Sequence, residues 1–426
     1  MSQGRRTPIS AMSGNEIYCL AQKGLVPGEI VVGNSVVSIG LAGGLGAMGR
    51  TFAGGEVRQV TELISEGRHR AIERMEQEAQ RDGASGVTGV VTKLGRLAGF
   101  TEFLSQGTGV HPASSGQAMR FFSTSASGIG LYCQVDAGYF PVRFSMGNVA
   151  YALGLGRGVM GQFRTLARGE VREYSSMYNE IRHTALSRLR QEASGYGANA
   201  VVDTQIRMLP YGPGTVELLM TGTASFHPQL SGGPVGPDQV VTSELSGVEL
   251  WNLAKLGYQP KQIVMATSVY SLGVAAGIGA LFQSVKRGEL PEVTKMIYEA
   301  RENCLELVRR EADALGAERV MSTRLEIREI GQGLVEIVAI GTAVVPAGPS
   351  MQPQTPQLLP QALVADGDHD DSIETLGFAT APMQMVRSGA GAAGQQTLGC
   401  LIALIMFFFV GCCSLIPLLM EAWPTK

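Results

Sequence analysis

Three sets of residues in this chain have the types and spacing that could do chemistry. The first is glycine. Gly44-x-Gly46-x-x-Gly49 and Gly156-x-Gly158-x-x-Gly161 match the dinucleotide fingerprint, whose glycines let backbone N–H groups approach a pyrophosphate at a helix start. The second set is soft ligands. Cys19 and Cys133 share one position of an internal repeat, and His69 and His183 share another. Converging Cys and His side chains would hold zinc or copper. The third set is charge on long helices. Glu78, Glu192 and Glu311 recur inside an apolar stripe near a helix C-terminus, where the helix dipole disfavours an anion. Buried there, each must be paired or protonated. Arg68, Arg182 and Arg301 recur at the edge of the same stripe and could supply that partner from another copy or another chain.

The first two sets lose force on inspection. The fingerprints are out of register, because Gly44 aligns with Gly158, and the third copy breaks the pattern at Phe282 after Gly277 and Gly279. Neither match sits in a βαβ unit with an acidic residue downstream. Gly44 to Thr51 approximates a P-loop, but Arg50 stands where the phosphate-reaching lysine belongs. The glycines are therefore expected to serve close backbone approach, and no cofactor is expected. The third copy carries Asn252 in place of the cysteine and Glu302 in place of the histidine, and no Cys-x-x-Cys or Cys/His spacing supports zinc. No metal ligands are assigned. No nucleophile or second carboxylate accompanies the glutamates, so no catalytic residues are assigned either. Glu78, Glu192, Glu311, Arg68, Arg182 and Arg301 stand as candidate buried or interface polar residues.

The elements that position them come from a threefold repeat. Sliding the chain by 114 residues lays the first copy on the second, and a further 119 lays it on the third. Tyr18-Cys19 falls on Tyr132-Cys133 and Trp251-Asn252, Gly55-Glu56 on Gly169-Glu170 and Gly288-Glu289, and Gly83-Ala84 on Gly197-Ala198 and Gly316-Ala317. Gly107-Thr108 falls on Gly222-Thr223 and Gly341-Thr342 after one inserted residue. Each copy reads as two strands (Glu16 to Ala21 and Glu29 to Ser38 in the first), a glycine-rich stretch, a long amphipathic helix and two closing strands. The helix of copy one runs from about Glu56 to Asp82, roughly 40 Å at 1.5 Å per residue. Its stripe is Val60, Leu63, Ile64, Gly67, Ala71, Met75 and Ala79. Glu56, Glu170 and Glu289 are placed in the first helical turn, and Gly83, Gly197 and Gly316 at left-handed C-terminal caps. The fold class is α+β, with order ββαββ in each copy.

The segment from Gly288-Glu289 through Tyr298-Glu299-Ala300-Arg301 and Gly316-Ala317-Glu318-Arg319-Val320 to Gly341-Thr342-Ala343-Val344 resembles the YbjQ family of small bacterial domains. The likeness covers most of each copy, with Gly109 and Gly67 as single departures from alanine in copy one. It implies candidate heavy-metal-binding domains that form homopentamers and have no established enzymatic activity. The resulting domain plan is 14–112, 121–228 and 240–346 for three YbjQ-like repeats, 347–397 for a flexible linker and 398–420 for a transmembrane helix.

Composition agrees with buried cores and excludes one class of partner. The 426 residues are 45% hydrophobic and 17% charged, and a net charge of −3 gives no electrostatic case for nucleic acid. Pro346 to Thr397 is rich in Pro, Gln, Gly and Ser, with an acidic patch from Asp366 to Asp371, and reads as a tether. Leu398 to Met420 is apolar and uncharged, long enough to span a ~30 Å hydrocarbon core, with Trp423 placed for the interface. Met1 to Tyr18 has no apolar run of the signal-peptide kind. The expectation is a tail-anchored membrane protein with its domains in the cytoplasm, partnered by the lipid bilayer and by itself. The function expected is a non-enzymatic, homo-oligomeric scaffold or binding module; the alternative is a metal or small-ligand sensor on the same assembly. A multiple of five chains is favoured, stacking three rings with one ring per copy. The other arrangement sets the three copies of a chain side by side in a larger ring.

Overall fold

The computed structural model describes residues 7–38, 55–97, 100–114, 119–152, 169–212, 215–271, 291–331 and 334–363. Both glycine fingerprints, Phe282 and the apolar segment 398–420 lie outside the described residues. Copy one comprises α1 (Gly14–Ala21), β1 (Leu25–Val37), the two-residue β2 (Gly55–Glu56), α2 (Arg58–Arg81), β3 (Gly86–Leu97) and β4 (Phe100–Pro112). A short strand β5 (Phe122–Ser123) leads into copy two: α3 (Gly128–Asp136), β6 (Phe140–Ala152), β7 (Gly169–Glu170), α4 (Arg172–Gly195), β8 (Ala200–Gly212) and β9 (Thr215–Phe226). Then β10 (Val241–Thr242) leads into copy three: α5 (Gly247–Lys255), β11 (Tyr258–Ser271), α6 (Pro291–Ala314), β12 (Arg319–Gly331) and β13 (Leu334–Pro346). A last turn, α7, covers Pro360–Leu363.

The order ββαββ is present in copies one and two, but its strands are not all where the sequence placed them. Glu16 to Ala21, expected as the first strand, is helix α1. Ser13 caps it, accepting from Glu16 N–H while the Glu16 carboxylate accepts from Ser13 N–H, a complete capping box. Ser246 caps α5 in the same way, and Ser127 caps α3 through its hydroxyl alone, accepting from Gly130 N–H. The second strand of the order is the two-residue β2 or β7. Glu56 and Glu170 therefore lie in a strand just ahead of the long helix, not in its first turn. Gly83, Gly197 and Gly316 end the long helices with φ of +76°, +79° and +67°, the left-handed conformation that spares glycine a steric cost.

Each long helix packs on its own antiparallel sheet, with the order β1-β4-β3 in copy one, β6-β9-β8 in copy two and β11-β13-β12 in copy three. The contact is closest at Gly33 and Gly147. A Cβ there would stand 2.0 Å from the Ala71 carbonyl oxygen and 2.2 Å from that of Ala185. Copy three accepts a methyl at the equivalent Ala266. Where copy one has Gly67 against Phe103, with a Cβ only 2.4 Å from the ring, copy two has Ile181 against Leu218. Helix and strand thus trade volume at a fixed spacing.

Neighbouring copies exchange edge strands in both directions. β2 of copy one pairs antiparallel with β6, and β7 of copy two pairs with β11. In return β5 runs parallel to β3, and β10 parallel to β8. The copies of one chain are therefore joined laterally, which corrects the preference for one ring per copy in favour of the side-by-side arrangement.

Candidate assembly interface

Arg68 projects from α2 and is fully buried between copies one and two. Its Nε and Nη2 fork onto the Glu217 carboxylate on β9 at 3.0 and 2.6 Å, and its Nη1 donates to Thr92 Oγ1 on β3 at 3.1 Å. Asn148 Nδ2 donates to the same carboxylate at 3.3 Å, and the guanidinium lies 5.5 Å from the Phe103 ring centre. A buried charge is tolerable only with such full satisfaction. Around the pair the backbones interlock. Val57 N–H donates to the Ala150 carbonyl at 2.8 Å, and Ala150 N–H donates to Thr61 Oγ1 at 2.9 Å. At the rim, His69 sits between Glu192 Oε2 at 3.1 Å and the Ser65 carbonyl at 2.7 Å. Two acceptors favour the doubly protonated ring, and the Glu192 hydrogen bond raises the His69 pKa above its ordinary value, against the opposing effect of burial.

The join between copies two and three repeats this plan. Arg182 Nη2 meets Glu336 Oε1 on β13 at 2.9 Å, with both side chains buried. The contact is misaligned: neither Glu336 oxygen nor Arg182 Nε has a hydrogen-bond partner among the described residues. Ser175 takes the place of Thr61 and accepts from Val269 N–H at 2.9 Å. Asn179 clasps the Thr267 backbone, donating to its carbonyl at 2.9 Å and accepting from its N–H at 2.8 Å. His183 faces Glu311 at 3.9 Å, too far for a hydrogen bond, and burial beside Arg182 lowers its pKa. Burial pushes the Glu311 carboxyl up to about 7, although it accepts from Met265 N–H at 3.1 Å.

The six candidate residues thus divide. Arg68 and Arg182 are buried ion-pair donors between copies, and Arg301 is exposed on α6. The glutamates are half-buried and do not meet the arginines, which corrects that pairing: Glu192 takes His69, Glu311 takes Met265 N–H, and Glu78 takes Val32 N–H at 2.5 Å. The carboxylates that do meet arginine, Glu217 and Glu336, were absent from the sequence reading. A signal existed: Glu102, Glu217 and Glu336 all stand five residues before the Gly-Thr motif, each the single acidic residue of its strand.

A second junction gathers all three copies. Asp136 at the end of α3 is buried and accepts from Lys23 Nζ of copy one at 2.7 Å, from Trp251 Nε1 of copy three at 2.8 Å and from Thr355 Oγ1 at 2.7 Å. Burial alone would raise its pKa; these donors outweigh it and hold the carboxyl below its usual range. Cys19 and Cys133 lie buried in the same core, and burial pushes the Cys133 thiol up to about 12. A thiol so reluctant to ionise makes a poor metal ligand. Among the described residues no group of three His, Cys, Asp or Glu side chains could hold a metal ion.

Fold and joins together define a chain of three covalently linked α+β subunits, held side by side by one repeated head-to-tail interface. The chain belongs to the YbjQ family, whose description reads "Putative heavy-metal-binding" and which matches residues 23–113, 142–227 and 256–347. It is 29% identical over 213 residues to an encapsulin nanocompartment protein of Mycobacterium tuberculosis, covering 49% of this chain and 79% of that one. It is 41% identical over 85 residues to a UPF0145 protein of Sulfurisphaera tokodaii, covering 20% of this chain and 75% of the relative. A UPF0145 protein of Thermotoga maritima is 40% identical over 78 residues, covering 18% of this chain and 74% of the relative. No solved structure matches the chain.

Proposed function

We propose that this chain is a non-enzymatic, membrane-tethered scaffold or binding module that associates with itself. The observation that carries the reading is where its buried charge lies. Arg68, Glu217, Arg182 and Glu336 are all buried at joins between subunits. Buried ion pairs cost desolvation and are best attested as devices that fix register and partner. The relative named as a nanocompartment protein supports an assembly role. The tether rests on sequence: Leu398 to Met420 is apolar and uncharged, whereas among the described residues no helix is long and apolar enough to cross a membrane. In this reading the three subunits face the cytoplasm and only the tail enters the bilayer.

Deleting Gly399 onward tests the tether. The truncated protein is expected in the soluble fraction after carbonate washing, and its persistence in the membrane pellet would overturn the single anchor. The sensor reading keeps one support, the family's description. Elemental analysis of protein purified without an affinity tag decides it: stoichiometric zinc or copper would favour a sensor.

A further inference from the structure

The interface that joins the copies is used twice within the chain, and each end of the chain carries one unused half of it. In copies two and three the first long strand is covered by the preceding copy. Phe144 and Met146 are 2% exposed and Ala150 0%. Their equivalents in copy one, Ile30, Val32 and Val36, are 40%, 43% and 51% exposed. The same holds for the first helix: Leu131 and Tyr132 are 1% and 3% exposed, whereas Ile17 and Tyr18 are 38% and 45%. β6 and β11 each receive a short strand on their outer edge, while among the described residues no strand pairs with the outer edge of β1.

The opposite face is bare at the other end. Arg301, at the Arg68 and Arg182 position, is exposed, and no ion pair engages it among the described residues. Thr294, at the position of Thr61 and Ser175, is exposed too, and so is Tyr298. Among the described residues β12 has no parallel strand beside Arg319 and Val320, where β3 has β5 and β8 has β10. The missing strand has a counterpart near the N-terminus. Ile9 accepts from Ile30 N–H at 2.9 Å, as Ser123 Oγ does from Phe144 N–H and Thr242 Oγ1 from Ile263 N–H. The acceptor for Arg301 has one as well. Glu102 occupies the Glu217 and Glu336 position but is half-exposed and holds only a 3.5 Å contact with Asn34 Nδ2.

We propose that the α1 and β1 face of copy one is the docking site for a second copy of this chain, which presents the α6 and β12 face of its own copy three, with Arg301 of one chain closing on Glu102 of the next. The two faces match in charge, in apolar surface and in open strand edges, and they continue an interface already formed twice. Exposed Ile, Val and Tyr side chains gathered on one face are the kind of surface that marks an interaction site. Because the contact is head-to-tail, it closes into a ring or runs on as a filament, according to the rotation at each join.

This inference rests on the self-associating reading, and the test separates the two. The full-length protein in mild detergent is sized at micromolar concentration by native mass spectrometry, beside Arg301→Glu, Glu102→Arg and the variant carrying both. Wild type is expected as a multi-chain particle, each single variant as a monomer, and the paired exchange as a particle again. Arg301 is exposed and Glu102 half-exposed within one chain, so unchanged circular dichroism melts are expected and would exclude misfolding. A wild-type particle that both single variants leave intact would overturn this surface while sparing self-association. A monomeric wild type would overturn both readings. Monomeric single variants without rescue by the paired exchange would overturn the Arg301–Glu102 pairing.

Discussion

The two joins inside the chain use equivalent positions and reach different degrees of closure. Between copies one and two, Arg68 forks onto Glu217, and Thr92 and Asn148 complete the hydrogen bonding. Between copies two and three, Arg182 makes one misaligned contact with Glu336, and Met208 Sδ stands 3.8 Å away, at the Leu94 position of copy one. The second join compensates with the Asn179 clasp on Thr267, which Ser65 and Asn148 do not reproduce in the first. The difference teaches that the family's interface is a frame of strand edges and apolar contacts, within which the central ion pair is a tunable element.

The largest expected effect tests that ranking. Glu217→Ala leaves the Arg68 guanidinium buried without a counter-charge and should cost about 3–5 kcal/mol, the usual penalty for breaking a buried pair. Glu336→Ala should cost less, because the contact it removes is poorly aligned. Urea melts of the two variants measure both, and a double-mutant cycle should give a larger coupling for Arg68–Glu217 than for Arg182–Glu336. Equal couplings would show that alignment is not what separates the joins.

Next in size is helix-to-strand spacing. Gly147→Ala drives a methyl against the Ala185 carbonyl oxygen and should cost about 1–3 kcal/mol through overpacking. The reverse change in copy three, Ala266→Gly, only removes a methyl and should cost roughly 1 kcal/mol. Thermal melts that ranked Ala266→Gly above Gly147→Ala would break the inference that copy three has room for a methyl where copy two has none.

The joins also differ in their response to pH. Glu311 has its pKa raised to about 7 by burial, so the folded chain holds a proton there that the unfolded chain releases near the ordinary carboxyl value. The sign follows: this group's contribution is neutral in acid and becomes destabilising as pH rises from about 4.5 to about 7. Glu311→Gln should therefore melt higher than wild type at pH 8 and alike at pH 4. At the first join, the raised His69 pKa gives stability that is present below about 6.5 and lost as pH climbs through the folded value. His183, its pKa lowered by burial, acts in the opposite sense and weakens the second join as pH falls below about 6.5. A His69→Gln variant whose melting difference from wild type grows above pH 7 would contradict the His69–Glu192 assignment.

What the sequence made legible were features written in one copy and repeated in the others. Register of Gly and Glu over three copies gave the repeat, and with it the long helices and their left-handed caps at Gly83, Gly197 and Gly316. The lateral joins were not legible. A buried arginine and its carboxylate lie 149 residues apart in the first join, and no local pattern connects them. The recurring Glu102, Glu217 and Glu336 were available, but nothing local marks them as buried, because alternation in a sheet allows a polar residue on an exposed face. The Arg68 partner was sought on the helix for the same reason: charge was weighed within the stripe, whereas the neighbouring subunit supplied it from a strand.

The smallest effect concerns the element the sequence misplaced. Tyr18-Cys19 and its equivalents look like strand, and propensity alone favours one. What decides for helix is the cap: Ser13 and Ser246 each stand three residues before a glutamate, and both boxes are closed. Copy two has Gly130 at that position and keeps only half of the box, Ser127 accepting from Gly130 N–H at 3.1 Å. α3 is nonetheless the most buried of the three short helices, packed against α1 on one side and α5 on the other. Packing, not capping, should therefore hold α3, while α1 packs on one full-length helix, α3, and on the four-residue turn α7. Ser13→Ala should cost about 1 kcal/mol, the ordinary worth of an N-cap, and should show as faster amide exchange confined to Glu16–Cys19. Ser127→Ala should cost less despite the tighter burial, because neighbouring helices constrain α3 from both sides. Filling the free α1 face by assembly should erase the difference. Protection of Glu16–Cys19 that stays equally low in monomer and in assembled particle would show that α1 gains nothing from a second chain.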